Sequence, residues 1–350
     1  MEDVLCDISA FRYHRVPPQV LMLLPMVPAA ELDRNRRGLV AHPLVAEIIG
    51  APVHMLAERP GRSETGGRVS RHVWSKDFPS SALWETVLGI EVASPLFTLL
   101  TLAPSVSEER LAMAVYEFCG TFTVFGPSAF IGDLLDYAER EHLLNDGFGW
   151  KRCVGSDGQP TDLWNRPPLI ELQELDRFIL DCAGMRGVKK LANAARLVTG
   201  VTASPFEVQA SMLLGSSVRC GGEGLHIENN VPIRLNRSSH HVSGTADRVA
   251  DIVITSEDGE RQVIVECQGE AFHSGTEATR RDSDRTTALQ AMGYEVILLT
   301  YHQIHDPLAF DTVVNLIRAK LGMGPRRKTA RQKERELRLR REIFADWELF

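Results

Sequence analysis

Two short runs of β-branched residues, joined by a charged turn, determine the architecture of the second half of this 350-residue chain. The runs are ADIVIT (250–255) and VIVECQ (263–268), and the segment between them contains an Asp-Gly pair typical of hairpin turns. We therefore predict an antiparallel hairpin. Within it, Glu266 is a charged residue in an apolar strand, where burial is costly unless something pairs with the carboxylate. Side chains two apart share a face of a strand, so Gln268 points the same way as Glu266.

The pairing of the two runs brings a second carboxylate to the same place. Asp251 begins the first strand, and an antiparallel hairpin places the start of one strand beside the end of the other, next to Glu266 and Gln268. Two carboxylates repel each other unless a cation joins them, and oxygen-rich sites select hard divalent ions. We expect Mg²⁺ or Mn²⁺ here, held by Asp251 and Glu266. Such an ion binds phosphate oxygens and activates water, which is the equipment for phosphodiester hydrolysis.

The chain length and the positions of glycine, proline and other turn residues predict an α/β protein of several segments. The composition, 44% hydrophobic and 24% charged, is that of a globular chain. Around the hairpin we predict a helix in SPFEVQASMLLGSS, a strand in YEVILLT and a helix near 308–321. The polar, glycine-rich stretch from Asn145 to Pro168 has the composition of a linker. The predicted segments are an N-terminal α/β domain (1–150), a linker with connecting helices (151–200), the hairpin domain (201–325) and a basic helical tail (326–350).

The hairpin domain resembles a known enzyme superfamily. Asp251 followed by Glu266-x-Gln268 is similar to the D…E-x-K core of the PD-(D/E)XK nucleases. SPFE, ADIVI, VECQGEAFH and RRDSDRTTALQAMGYEVILLT, in that order, resemble a bacterial domain related to very-short-patch-repair endonucleases. The resemblance covers about residues 200–305 and implies a restriction-endonuclease-like domain, a mixed sheet flanked by helices. It implies catalytic roles for the residues that match the motif: Glu207, Asp251, Glu266, Gln268 and His273.

Several of these positions have alternative interpretations. Glu207 follows Ser204 by three residues, so the pair also forms a helix capping box that needs no metal. Asp247 competes with Asp251 as metal ligand, although Asp251 directly begins the β-branched run. The superfamily's usual lysine is Gln268 here, which can hold a water but cannot neutralise charge. His273 is also explained as a loop histidine.

Basic residues supply the candidate DNA contacts. Arg281 and Arg285 either contact phosphate or pair with Asp282 and Asp284 on adjacent helical turns. Residues 318–341 contain eleven Lys or Arg against two Glu, on a chain whose net charge is −7. This tail, with Arg326, Arg327 and Lys328, is either a nucleic-acid contact or a solvated, salt-bridged helix.

The remaining features limit compartment and partners. Six scattered cysteines without a CxxC pair predict neither a zinc site nor a disulfide framework, so we expect a reducing cytoplasm. The apolar run at 20–30 is too short for a membrane span and contains two prolines, and the acidic start does not fit a signal peptide. The N-terminal region resembles the C-terminal domain of abortive-infection type IV antitoxins, which implies a protein partner without naming catalytic residues or an oligomeric state.

These observations predict a metal-dependent DNA endonuclease acting in repair or defence. In this hypothesis Asp251 and Glu266 hold the metal, Gln268 positions water, and Glu207 and His273 assist. The alternative is a catalytically inactive DNA-binding or regulatory protein of antitoxin type that keeps the fold without turnover.

Overall fold

The computed structural model describes residues 4–23, 48–57, 69–86, 90–141, 149–155, 157–235, 247–269 and 286–347. These residues fall into two compact units, the first within 1–152, 162–195 and 346–350 and the second within 153–161 and 196–345. Helices and sheets alternate in both units, which confirms the predicted α/β class. No helix among the described residues is long and apolar enough to cross a bilayer.

A mixed five-stranded sheet organises the first unit. Its strands are β1 (Val4–Leu5), β2 (Val53–Ala57), β3 (Val69–Val73), β4 (Leu83–Glu85) and β5 (Glu91–Ala93). Their order is β3-β2-β1-β5-β4, with β1 parallel to β5, β2 parallel to β3, and the remaining neighbours antiparallel. β1 therefore occupies the centre of the sheet despite its two residues, and it leads directly into the first helix.

Two helices of the first unit begin at a serine whose hydroxyl accepts a helix N–H, Ser107 and Ser128. The helices of this unit are α1 (Asp7–Arg15), α2 (Pro18–Leu23), α3 (Pro95–Leu102), α4 (Glu108–Cys119), α5 (Ala129–Arg140), α6 (Leu172–Asp181) and α7 (Val188–Ala195). The Ser107 hydroxyl accepts a hydrogen bond from the Arg110 N–H, and Gly120 follows the last residue of α4. Ser107 and Gly120 therefore bound α4 at its two ends. α6 and α7, predicted as connecting helices, belong to the first unit.

A buried ion pair ties together the core of the first unit. The Arg15 guanidinium donates to both oxygens of Glu117, from Nε at 2.9 Å and from Nη2 at 2.7 Å. Thr123 Oγ1 and Trp347 Nε1 also donate to this carboxylate, each at 2.6 Å. Burial alone would raise the pKa of Glu117, but the Arg15 charge and these hydrogen bonds outweigh it and lower the pKa. The carboxylate is therefore ionised and fully satisfied although the side chain is inaccessible to water.

A second, three-stranded sheet occupies the stretch that was predicted to be a linker. β6 (Phe122–Val124), β7 (Lys151–Val154) and β8 (Pro160–Asn165) lie in the order β6-β8-β7. β8 pairs antiparallel with β6, and Trp164 is buried. Glycine and polar residues dominate the composition between Asn145 and Pro168 and conceal this short alternating strand, so the linker prediction fails for these residues.

The second unit is built on the predicted hairpin. Its mixed four-stranded sheet has the order β12-β11-β10-β9, formed by β9 (His226–Arg234), β10 (Asp247–Thr255), β11 (Gln262–Gln268) and β12 (Glu295–Thr300). β9, β10 and β11 are antiparallel, and β12 is parallel to β11. The hairpin and the YEVILLT strand are confirmed. β9 was not predicted.

Four helices of the second unit complete its described part, together with a helical stretch at 286–291. They are α8 (Pro205–Gly215), α9 (Tyr301–His305), α10 (Pro307–Lys320) and α11 (Ala330–Ile343). Ile233, Ala250 and Ile264 of the sheet pack with Ala288 and Leu289 of the 286–291 stretch. The helix predicted for the basic tail is present as α11. Its Leu339 and Ile343 side chains are buried, so it is an integral part of this unit.

Candidate functional site

The register of the hairpin places the two predicted carboxylates opposite each other. Ile252 of β10 pairs with Val265 of β11, so the next residues along the two strands, Asp251 and Glu266, face each other across the ladder. The Asp251 carboxylate accepts a hydrogen bond of 2.8 Å from the Cys267 N–H, which fixes it against β11. Glu266 is 5% exposed. The antiparallel pairing that was predicted to bring Asp251 beside Glu266 is therefore confirmed, while their role as metal ligands stays a prediction.

A third carboxylate reaches this region from the first turn of α8. Glu207 is the third residue of the helix, and its N–H donates to the Ser204 hydroxyl that caps the helix. Its carboxylate accepts hydrogen bonds from the Ala203 N–H at 2.8 Å and from Ser204 Oγ at 2.9 Å. Ser204 therefore caps α8 as predicted, but the Glu207 carboxylate bonds to the Ala203 N–H where a capping box would use the N–H of Ser204.

Besides its hydrogen bonds at the start of α8, Glu207 interacts electrostatically with Asp251. Burial raises the pKa of Glu207, and the negative charge of Asp251 raises it further, to about 7. The hydrogen bonds to the carboxylate lower the pKa but do not offset these two effects. Glu207 is therefore close enough to Asp251 to feel its charge, and it gains and loses a proton near neutral pH.

Gln268 ends β11 on the side of the strand that carries Glu266. The strand continues in register with β12, where Gln268 pairs with Thr300. Because successive side chains of a strand alternate, Gln268 and Glu266 project from the same face. Gln268 is half-buried, so its side chain is partly accessible to solvent.

Asn230 belongs to this region although the sequence did not predict it. In the register of β9 with β10 it lies opposite Asp251, between the pairs Val231–Ala250 and Asn229–Ile252. Its backbone is left-handed, with φ of 48°, a conformation that asparagine tolerates better than most residues. The side-chain amide donates to the Val201 carbonyl at 2.8 Å and to the Glu207 carboxylate at 3.1 Å. Asn230 thus joins β9 to Glu207.

The donor atoms suit a hard cation, but the three carboxylates do not form a closed cage. Within the described residues, two groups of three acidic or histidine ligands have all their ligand atoms within 4.8 Å of one another. These are Asp7, His54 and His72, and Glu223, Asp311 and Glu336. Glu207, Asp251 and Glu266 do not form a third such group. The candidate oxygen donors for Mg²⁺ are therefore limited to the pair Asp251 and Glu266, and Glu207 interacts electrostatically with Asp251.

Three predicted residues lie outside the described part of the chain. His273, Arg281 and Arg285 fall between residues 270 and 285, and their proposed roles stay predictions. The competing ligand Asp247 begins β10, and its side chain is also outside the description.

Two of the three tail residues predicted to contact DNA are engaged in ion pairs within the second unit. Lys328 Nζ lies 2.7 Å from Glu223 Oε1, 2.5 Å from Asp311 Oδ1 and 2.6 Å from Glu336 Oε2. Burial would lower the pKa of Lys328, but these three hydrogen bonds raise it above its ordinary value. Arg326 donates to the backbone carbonyl and the carboxylate of Glu223. Arg327 is exposed. The salt-bridged interpretation of the tail therefore fits Lys328 and Arg326.

Comparisons of the chain with models of protein families, with curated proteins and with solved structures found no match. The resemblance to the nuclease superfamily thus rests on the motif residues quoted above and stays a prediction. The functional argument depends on the geometry of Asp251, Glu266 and Glu207.

Proposed function

We propose that the chain is a metal-dependent DNA endonuclease with its active site at Asp251 and Glu266. The observation that supports this proposal most strongly is the hairpin register, which sets the half-buried Asp251 opposite the buried Glu266. Neighbouring carboxylates repel each other, and a divalent cation shared by the two would remove that repulsion.

In this proposal Mg²⁺ or Mn²⁺ supplies a Lewis acid for the phosphate and activates a water molecule. Asp251 and Glu266 hold the ion, and the Gln268 amide positions the attacking water. Glu207 is close enough to Asp251 for their charges to interact. Its pKa of about 7 allows it to accept or release a proton at neutral pH, which suits a general base or a proton relay. The motif match assigns His273 an assisting role.

The proposed substrate is DNA, held through its phosphates by exposed basic side chains. Arg327 is exposed next to α11, and Arg331 and Arg341 are exposed on that helix. Arg281 and Arg285 extend this set if the motif match holds. Lys328 and Arg326 support the fold in this proposal, because their charges are engaged by Glu223 and its neighbours.

The test compares plasmid nicking by wild type, Asp251→Asn, Glu266→Gln and Glu228→Gln in Mg²⁺ and in Mn²⁺. Glu228 is the matched control, since it is an exposed glutamate on the same sheet, in β9. We expect both site variants to lose metal-dependent nicking while Glu228→Gln keeps the wild-type rate. Nicking that survives in both site variants, or that is independent of the metal, contradicts the proposal.

The second candidate is a DNA-binding or regulatory protein without turnover. It is favoured by the three hydrogen bonds that already satisfy Glu207 and by the amide of Gln268 in place of a lysine. This candidate predicts DNA binding by wild type with no nicking in either metal, and the same affinity in Glu266→Gln. The protein partner predicted for the N-terminal region would be sought under this candidate.

A further inference from the structure

The first unit contains a cluster of two histidines and one aspartate. None of these three residues belongs to the proposed nuclease site. His54 Nδ1 is 2.9 Å from His72 Nε2, His72 Nε2 is 3.6 Å from Asp7 Oδ2, and His54 Nδ1 is 3.8 Å from Asp7 Oδ2. A tetrahedral zinc ion with bonds of about 2.0–2.1 Å holds its ligand atoms about 3.4 Å apart. The three separations bracket that value.

Sheet register explains why these three residues meet. β2 and β3 are parallel, with His54 opposite Ser70 and Leu56 opposite His72, so both histidines project from one face of the sheet. β1 lies beside β2, with Leu5 paired to Met55, and Asp7 follows β1 as the first residue of α1. The two rings are stacked with centroids 5.0 Å apart.

The aspartate is held in a conformation that its own backbone does not favour. Asp7 has φ of 53°, a left-handed value that costs about 1 kcal/mol or more for a residue with a side chain. Its N–H donates to Thr101 Oγ1 at 2.9 Å, its Oδ1 accepts from the Ile8 N–H at 2.7 Å, and Ser105 Oγ donates to Oδ2. These bonds orient Oδ2 toward the histidines, as outer-shell partners orient metal ligands.

Charge favours a cation at this cluster. The Asp7 side chain is fully buried, whereas the histidine side chains are 18% and 30% exposed, which leaves an approach from solvent. A buried carboxylate needs a compensating positive charge. Within the described part of the chain, this carboxylate contacts a backbone N–H, a serine hydroxyl and the two imidazoles.

The other group of three potential ligands already contains a positive charge. Glu223, Asp311 and Glu336 surround the ammonium of Lys328, which already supplies the positive charge of that cluster. The cluster of Asp7, His54 and His72 contains nitrogen ligands, which favour borderline transition metals over Mg²⁺.

We propose that Asp7, His54 and His72 bind one divalent transition-metal ion, with Zn²⁺ as the expected ion, through one carboxylate and two imidazole ligands. Three protein ligands leave a fourth position open to water or to a small ligand. The ion would join β2 and β3 to the start of α1. This site is independent of the proposed nuclease activity.

The test measures Zn²⁺ binding to the full chain after removal of metal by a chelator, using equilibrium dialysis with elemental analysis. We expect one tightly bound Zn²⁺ per wild-type chain, and binding weaker by at least about 100-fold in His54→Gln, His72→Gln and Asp7→Asn. The control His226→Gln changes an exposed histidine in β9 and should bind like wild type. Glu266→Gln should also bind like wild type, which separates this site from the nuclease site.

Two further measurements keep the proposal testable if a variant fails to fold. Co²⁺ bound to the wild type should give the visible absorption of a low-symmetry nitrogen and oxygen site. Zn²⁺ should also protect His54 and His72 of the wild type, but not His226, from diethyl pyrocarbonate, as read by peptide mass spectrometry. Absence of stoichiometric binding, or equal modification of His54 and His72 with and without Zn²⁺, overturns the proposal. Undiminished binding in the folded ligand variants does so as well.

Discussion

Replacing Glu207 by glutamine should make the second unit more stable at alkaline pH and leave it nearly unchanged at acid pH. In the folded chain the pKa of Glu207 is raised from 4.5 to about 7 by burial and by the charge of Asp251. Between these pH values the folded state keeps a proton that the unfolded state has lost, so stability falls as pH rises. Moving the pKa from 4.5 to about 7 corresponds to about 3 kcal/mol, with the full penalty present above pH 7. A glutamine does not titrate and avoids that penalty.

The geometry allows glutamine to keep the cap. Its carbonyl oxygen can take the place of the Glu207 oxygen that accepts from the Ala203 N–H and from Asn230, and its amide can donate to Ser204 Oγ. We therefore expect Glu207→Gln to gain about 3 kcal/mol over wild type between pH 4.5 and pH 8.

Urea denaturation followed by far-UV circular dichroism measures this difference. All five tryptophans lie outside the residue ranges of the second unit, so tryptophan fluorescence would follow the other unit. In a chain that retains Glu207, Asp251→Asn should make stability depend less on pH, because it removes the negative charge that is the second cause of the raised pKa of Glu207. Glu228→Gln, an exposed control, should follow wild type at every pH. A loss of stability in Glu207→Gln that is the same at pH 4.5 and pH 8 would refute the reasoning and leave Glu207 as a cap only.

Three other predictions follow from the described contacts. Lys328→Met should cost about 1.5–3 kcal/mol at neutral pH, because Glu223 and Glu336 lose their shared ammonium and keep only Arg326 and Arg340 as partners, whereas the exposed Arg327→Met should stay within about 0.5 kcal/mol of wild type in urea denaturation. Glu117→Gln should cost roughly 3–5 kcal/mol by leaving Arg15 buried without its partner, and tryptophan fluorescence can follow it. Substituting the exposed arginines of the tail by glutamine should reduce the log–log salt dependence of DNA binding by about 0.9 per lost phosphate contact, and an unchanged slope contradicts a DNA role for them.

The hairpin and its facing carboxylates could be predicted from the sequence because strand alternation carries the information. β-branched residues on both sides of an Asp-Gly turn set the register, and a shift by one residue would turn Glu266 to the other face. The confirmed pairing of Ile252 with Val265 follows from that pattern. The cap of α8 was equally local, since Ser204 and Glu207 are three residues apart.

Other features depend on contacts that no local pattern contains. The sequence places Lys328 in a basic tail. In the fold it forms an ion pair with Glu223, which lies more than one hundred positions earlier. Asn230 combines a left-handed backbone with a side-chain hydrogen bond to Glu207, which lies 23 residues earlier in the chain. The meeting of Asp7 with His54 and His72 depends on the strand order β3-β2-β1, which the sequence did not predict.

The raised pKa of Glu207 also provides a test that distinguishes the two candidate functions without a cleavage assay. A divalent ion held by Asp251 and Glu266 would offset the negative charge that Asp251 exerts on Glu207, and the pKa of Glu207 would fall. The stability that Glu207→Gln gains over wild type at pH 8 should then shrink in saturating Mg²⁺, because the wild type binds the ion and loses part of its penalty. A chain that keeps the fold without binding metal has no such coupling, and its gain at pH 8 is the same with Mg²⁺ as with an equal ionic strength of NaCl. The stability difference between wild type and Glu207→Gln at pH 8, measured in Mg²⁺ and in NaCl, therefore decides whether the facing carboxylates hold a cation. An equal difference in both salts contradicts the nuclease proposal.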